Sequence, residues 1–215
     1  TTKIIKNGLV FNMDAANRAS YPKTGTTVTD TIGSDTGTLN GATFLTDDSG
    51  VFNFDGIDDS LSIPSSFTLL ANKLAFSISF WFKQIDFLYN RTVLHQGNGI
   101  KFRTSTNSKL FGNIYTFSSK TLNSNSFNEN EWQNFMIIYD GSSLKLYQNA
   151  SVADTDTGVS GNTPNTTGLF AWAAHTNLSS EPNECQIASI QFYNRALSAE
   201  EVLYNYNGLK SRFGL

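Results

Sequence analysis

Apolar and polar residues alternate in short runs along this chain, most clearly from Ala75 to Lys83. In an extended segment, Phe76, Ile78, Phe80 and Phe82 fall on one side, and Ser77, Ser79 and Trp81 on the other. Phe52-Asn53-Phe54 begins another strand, and Leu61-Ser62-Ile63 resumes after the Asp55-Gly56 turn. Asn134 to Tyr139 is nearly continuous in apolar residues, which predicts a strand buried on both faces. Asp140-Gly141 then gives a hairpin signal, because glycine tolerates positive φ and aspartate caps its own turn. Leu144, Lys145 and Leu146 alternate on the returning strand, and Ile187 to Tyr193 forms a late strand with Ile190 and Phe192 on one face. The stretch Ala150 to Thr167, rich in Ser, Thr, Asn, Asp and Gly, reads as a long surface loop. Short period-two segments divided by turn residues predict an all-β fold, an antiparallel β-sandwich.

Only the end of the chain reads as helical. Ser198-Ala199-Glu200-Glu201 is a capping box, in which Ser198 accepts from the Glu201 N–H and Glu201 reaches back. Leu197 and Val202 occupy the flanking positions of a hydrophobic staple. The spacing predicts a short C-terminal helix from about Ala199 to Tyr206, stopping near Gly208. No composition shift or repeat divides the chain, so residues 1–215 are expected to form a single sandwich domain.

Composition narrows the function. Aromatic residues make up 13%, carried by 17 Phe and 8 Tyr, types that suit a pleated and half-buried surface. Charged residues make up only 15%, against about 25% in ordinary domains. A net charge of -3 with no clustered Lys and Arg argues against a nucleic-acid partner. Cys185 is the single cysteine, which excludes an internal disulfide and points to a buried, inert thiol. The first residues lack a signal-peptide core, and no run reaches transmembrane length, so no membrane partner is expected.

Three segments resemble the laminin-G-like, concanavalin A-like jelly-roll family. Glu131 to Ser142 with Leu144 to Asn149 is similar to its Trp-containing hairpin, and Phe54 to Asp59 to its early turn. Phe192 to Val202 resembles its closing strand and helix. A narrower likeness covers both ends. Gly8 to Asn17, then Ser20-Tyr21-Pro22 and Gly25-Thr26-Thr27, is similar to the opening of such domains in virion proteins of tailed bacteriophages. Tyr204 to Asn207 and Lys210 to Leu215 are similar to their ending. The resemblance implies a virion surface component, a capsid decoration protein or a tail or fibre module. It would be assembled in the bacterial host cytoplasm, with other virion proteins as partners and homo-oligomers within the assembly. Residues 1–7 and 210–215 are then expected to be docking arms ordered on assembly.

Candidate chemistry is sparse. A glycosidase needs two carboxylates about 5–10 Å apart across the sugar. Glu129 and Glu131 have alternating spacing, but they sit among Asn residues before Trp132 and read as a solvated turn. His95 and His175 show no nucleophile partner by spacing, and Gly97-Asn98-Gly99 reads as a hairpin turn. No catalytic residue is assigned, and the chain is expected not to be an enzyme. If a metal is bound, calcium on Asp55, Asp58 and Asp59 is the expected one, since hard cations take oxygen ligands; the competing reading is turn caps. Glycan recognition would use exposed aromatic rings with polar neighbours, and the candidates are Trp81, Trp172 and Tyr115 with His95 and Asn113. For Trp81 the competing reading is core, and Trp132 is assigned to core outright. The leading expectation is a non-enzymatic virion structural protein, and the alternative is a lectin-like module binding a host-surface glycan.

Overall fold

The computed structural model describes residues 4–64, 68, 70–97, 99–114, 120–163, 170–174, 177 and 180–215. The strands along them are β1 (Leu9–Asp14), β2 (Thr27–Thr29), β3 (Thr36–Asn40), β4 (Thr43–Leu45), β5 (Val51–Asp55), β6 (Ser60–Ile63), β7 (Phe76–Gln84), β8 (Thr92–Gln96), β9 (Ile100–Thr104), β10 (Leu110–Ile114), β11 (Lys120–Asn123), β12 (Trp132–Tyr139), β13 (Leu144–Gln148), β14 (Ser151–Asp156), β15 (Phe170–Trp172) and β16 (Glu184–Tyr193). One helix, α1 (Ala199–Leu209), and a 3-10 turn at Lys210–Phe213 follow. Two antiparallel sheets form a sandwich. The first has the order β14-β13-β12-β7-β16-β5-β4, with β1 also paired to β16; the second runs β11-β10-β9-β8-β15-β6-β3-β2. β5 and β6, joined by the Asp55–Asp59 turn, lie in different sheets, so that turn crosses a rim of the sandwich.

Alternation explains the core between the sheets. Phe76, Ile78, Phe80 and Phe82 of β7 pack in one buried cluster with Leu61, Ile63, Leu94, Phe102 and Trp172 of the second sheet. Gly112 of β10 permits a close approach there, since a Cβ on it would lie 2.4 Å from the Phe102 ring.

Sheet one is buried on its other face too, which is why β12 is apolar almost throughout. Trp81, Trp132, Met136 and Ile138 point away from the main core into a second cluster, with Leu197, Val202, Leu209 and Phe213. The capping box forms: Glu201 N donates to Ser198 Oγ at 3.3 Å and Ser198 N to Glu201 Oε2 at 3.0 Å. Leu197 and Val202 are both buried. α1 continues past Tyr206 through Gly208, because burial of Leu209 and Phe213 offsets the helix cost of glycine, about 1 kcal/mol.

One expectation is corrected and another is qualified by the packing. Part of the predicted loop Ala150 to Thr167 is strand β14, paired with β13 at the sheet edge. None of its side chains is buried, so it lacks the alternation that burial imposes; residues 164–167 lie outside the described residues. Within the expected arms, Ile4, Ile5 and residues 210–213 are held against the fold. Ile4 is buried, and Ile5 N donates to Asn205 Oδ1 at 2.7 Å. Arg212 donates to Asp14 Oδ1 at 2.8 Å, to Asp48 O at 2.6 Å and to Gly50 O at 2.5 Å. Residues 210–213 thus complete the second apolar cluster within the fold.

Candidate functional site

The Asp55–Asp59 turn is built by its own aspartates. Ile57 N donates to Asp55 Oδ1 at 2.8 Å, and Asp55 N donates to Asp59 Oδ2 at 2.9 Å, closing the loop. Gly41, at φ +74°, lets the Asp59 carboxylate in, because a Cβ there would lie 2.0 Å from Asp59 Oδ1. Asp55 and Asp58 are exposed and Asp59 is buried, and one oxygen from each lies within 4.8 Å of the others. Burial pushes the Asp59 carboxyl above its ordinary range; the Asp55 N–H opposes this, and the charges of Asp55 and Asp58 add to it. This all-oxygen set fits the donor preference of calcium.

Two predicted ligand residues, His95 and Asn113, do come into one row. Lys101 of β9 is the register partner of both, His95 from β8 and Asn113 from β10. The row is internally satisfied. Lys101 Nζ lies 2.8 Å from Glu181 Oε2, and Thr92 Oγ1 donates to the same oxygen at 2.6 Å. His95 Nε2 is 3.0 Å from Gly97 O. Asn113 Nδ2 donates to Thr121 Oγ1 at 2.8 Å, and Arg103, stacked over Phe111, reaches Asn113 Oδ1 at 3.4 Å.

The tryptophan candidates are corrected by their burial. Trp81 and Trp172 are both 0% exposed and offer no ring face to a sugar. Phe213 stacks on Trp81 with centroids 4.2 Å apart, and Tyr206 at 5.7 Å. Trp172 lies between the sheets, edge-on to Phe80 at 5.1 Å. Tyr115 and His175 lie outside the described residues. Glu129 and Glu131 organise turns: Glu129 Oε1 accepts from Phe87 N at 2.8 Å, and Glu131 Oε1 from Asn128 Nδ2 at 2.9 Å.

The rim that carries the aspartate turn also carries a cleft absent from the sequence reading. Glu184 at the start of β16 pairs with Asp55, Cys185 with Gln84 at the end of β7, and Lys83 with Trp132 at the start of β12. Beyond Trp132, where β12 meets the end of β13, a cleft of about 710 Å³ opens, lined by Asn107, Asn128, Glu131, Gln133, Gln148 and Asn149 among others. Gln133 Oε1 accepts from Gln148 Nε2 at 3.0 Å and from Asn149 Nδ2 at 2.8 Å. Asn149, at φ +50°, is held by Asn134 N, which donates to its Oδ1 at 2.8 Å. A second cleft, of about 660 Å³, lies between β1 and the C-terminal turn. Several of its polar groups pair with one another: Asp14 with Arg212, and Asn12 with Thr31 and Gln191.

Known structures share this architecture. A Trypanosoma rangeli sialidase in complex with the inhibitor DANA matches with a TM-score of 0.73 at 12% identity, over 94% of this chain and 33% of the sialidase. The binding domain of botulinum neurotoxin DC in complex with SialylT matches with a TM-score of 0.72 at 15% identity, over 94% of this chain and 52% of the other. A structure of botulinum neurotoxin type C, whose cell entry depends on interaction with two ganglioside molecules, matches with a TM-score of 0.73 at 16% identity, over 94% of this chain and 51% of the other. The chain therefore spans a third to a half of these proteins, and at such identities the likeness is one of fold. No curated protein matches in sequence. Residues 55–203, from the aspartate turn to the second turn of α1, match the sequence profile of the concanavalin A-like lectin/glucanases superfamily, and the chain belongs to that superfamily.

Proposed function

We propose that this chain is a non-enzymatic module of the virion surface of a tailed bacteriophage, docking on a capsid or tail by protein–protein contacts. The observation behind this reading is that the two stretches resembling phage virion proteins form one structural unit. Asp14, in the opening stretch, and Arg212, in the closing one, form a buried bridge at 2.8 Å. α1 turns Leu203 and Tyr204 outward, each about half exposed, and a neighbouring chain would cover them. The carboxylates with glycosidase-like spacing, Glu129 and Glu131, are engaged in turns. Leu203→Glu with Tyr204→Glu is the variant to test, because both side chains are exposed. The expected result is a folded protein that no longer co-purifies with particles; undiminished co-purification contradicts docking through this face.

A second reading is a carbohydrate-binding module acting in host adhesion. Proteins of similar fold support it, since one is in complex with SialylT and another interacts with two ganglioside molecules. In that reading the rim loops meet the glycan, and calcium, held by Asp55, Asp58 and Asp59, orders the rim. A glycan array on the purified protein, with and without calcium, tests it.

A further inference from the structure

A ridge and a hollow stand side by side at the C-terminal end. Glu200, Leu203, Tyr204 and Asn207 are exposed on α1 at i, i+3, i+4 and i+7, and Ser211 continues the stripe into the 3-10 turn. Leu203 and Tyr204, each about half exposed, are the apolar knobs of this ridge. Gly208, one turn beyond Tyr204 on the same side, lines the cleft of about 660 Å³ between β1 and the C-terminal turn. Ile32, also in the lining, is 45% exposed, so the cleft has an apolar surface to cover as well. A hollow of that size takes a whole aromatic side chain.

The charges are ordered in the same sense. Glu200 is an exposed carboxylate in the first turn of α1. Lys210 follows the last turn, and Lys6, exposed, lines the cleft beside it. The acidic and basic ends lie about 15 Å apart along the axis. An identical helix laid antiparallel brings opposite charges together at both ends, whereas a parallel one opposes like charges.

From this arrangement we infer that a second copy of the chain binds here about a two-fold axis. The two α1 helices run antiparallel, Tyr204 of each chain enters the cleft of the other, and Asn207 lies near the axis. A knob beside its own matching hollow is self-complementary under a two-fold rotation, which uses each of them twice. One 11-residue helix and one cleft per chain make a small interface, so the dimer is weak, with a Kd of about 10–100 µM. The inference rests on the reading that this face of α1 docks, and names what covers it.

The test is sedimentation equilibrium of the purified chain from about 1 µM to 1 mM, a range that brackets such a Kd. Expected is a monomer–dimer equilibrium. Tyr204→Ala, on the ridge, and Ile32→Glu, in the cleft, should each weaken it about tenfold. Glu200→Lys should weaken it about threefold, and adding Lys6→Glu and Lys210→Glu should restore it. Asn207→Cys should form a disulfide-linked dimer under mild oxidation, because the native Cys185 is buried and does not compete. Val152→Cys, exposed on the edge strand β14, is the control. A monomer at every concentration overturns the inference but leaves virion docking standing, since co-purification with particles tests that separately. A dimer indifferent to Tyr204→Ala and Ile32→Glu, or Asn207→Cys linking no better than the control, also overturns it. Failure of the charge exchange to restore the dimer overturns the antiparallel arrangement.

Discussion

Phe213 lies stacked on Trp81, with ring centroids 4.2 Å apart and planes 22° from parallel. Trp132 approaches the same phenyl ring at 4.6 Å, so one residue near the end of the chain covers two tryptophans of sheet one. Phe213→Ala removes a buried aromatic ring and opens Trp81 to water, at a cost of about 3 kcal/mol. In a chain of this size that lowers Tm by roughly 6–12 °C. Differential scanning fluorimetry checks the first effect, and a red shift of tryptophan emission the second. An unchanged Tm with unshifted emission contradicts the account of this face.

Arg212 and Asp14 form a pair whose side chains are only 10% and 9% exposed. Removing one partner strands the other charge in the interior, which costs about 3–5 kcal/mol. Arg212→Ala should therefore destabilise the fold more than any substitution of the exposed pair Lys145 and Asp140. A double-mutant cycle with Asp14→Asn and Arg212→Met should show a coupling of about 1–3 kcal/mol, read from urea unfolding midpoints. Additive effects contradict a direct pairing.

Asp140 gives the fold a defined acid sensitivity. Burial pushes its carboxyl up, but hydrogen bonds from Ser143 and Ser142 outweigh that and hold it at about 2. A depressed carboxylate contributes stability above its unfolded value near 4, and this is lost as pH falls towards 2. Its side chain is a third exposed, so the contribution after solvent screening is about 1 kcal/mol. Asp140→Asn should lower the unfolding free energy by that amount at pH 7 and converge with the parent near pH 2. A difference independent of pH contradicts this.

The aspartate turn carries the opposite sign. Burial raises the Asp59 carboxyl, so the folded state takes up a proton more readily than the unfolded one, and the stability that proton gives fades as pH rises through the raised value. Asp59→Asn should therefore stabilise the calcium-free protein near neutral pH, while keeping an acceptor for Asp55 N. Calcium should raise the parent's Tm, by about 2.7 kcal/mol of stability at a hundredfold excess over Kd. Asp58→Asn, at an exposed position, should remove that gain. No calcium-dependent shift in the parent assigns these residues to capping the turn.

Much of the fold was legible because its strands are amphipathic. Phe76 to Phe82 pointed one face inwards, Asp140-Gly141 marked a hairpin, and Ser198 with Glu201 marked the helix start. Trp81 shows the limit of such reading. Alternation placed it opposite Phe80, but what covers it, Phe213, comes from the far end of the chain. Strand β14 was invisible because an edge strand with solvated side chains carries no periodic apolar signal. The candidate site was less legible still. His95 and Asn113 share a row but lie two strands apart, on β8 and β10; Lys101 of β9 between them, and Glu181 paired with it, became apparent only from strand register and a distant loop. The Gln133–Gln148–Asn149 network depends on which residues of β12 face the end of β13, and no local motif announces it.

The role proposed for the chain is that of a non-enzymatic part of a virion surface. Quantitative mass spectrometry of gradient-purified particles, from the lysate in which the chain is made, tests it most directly. Expected are peptides of this chain in the particle fraction, in fixed ratio to the capsid or tail protein it docks on, and persisting through a high-salt wash. Its presence in the lysate but absence from purified particles would contradict the account.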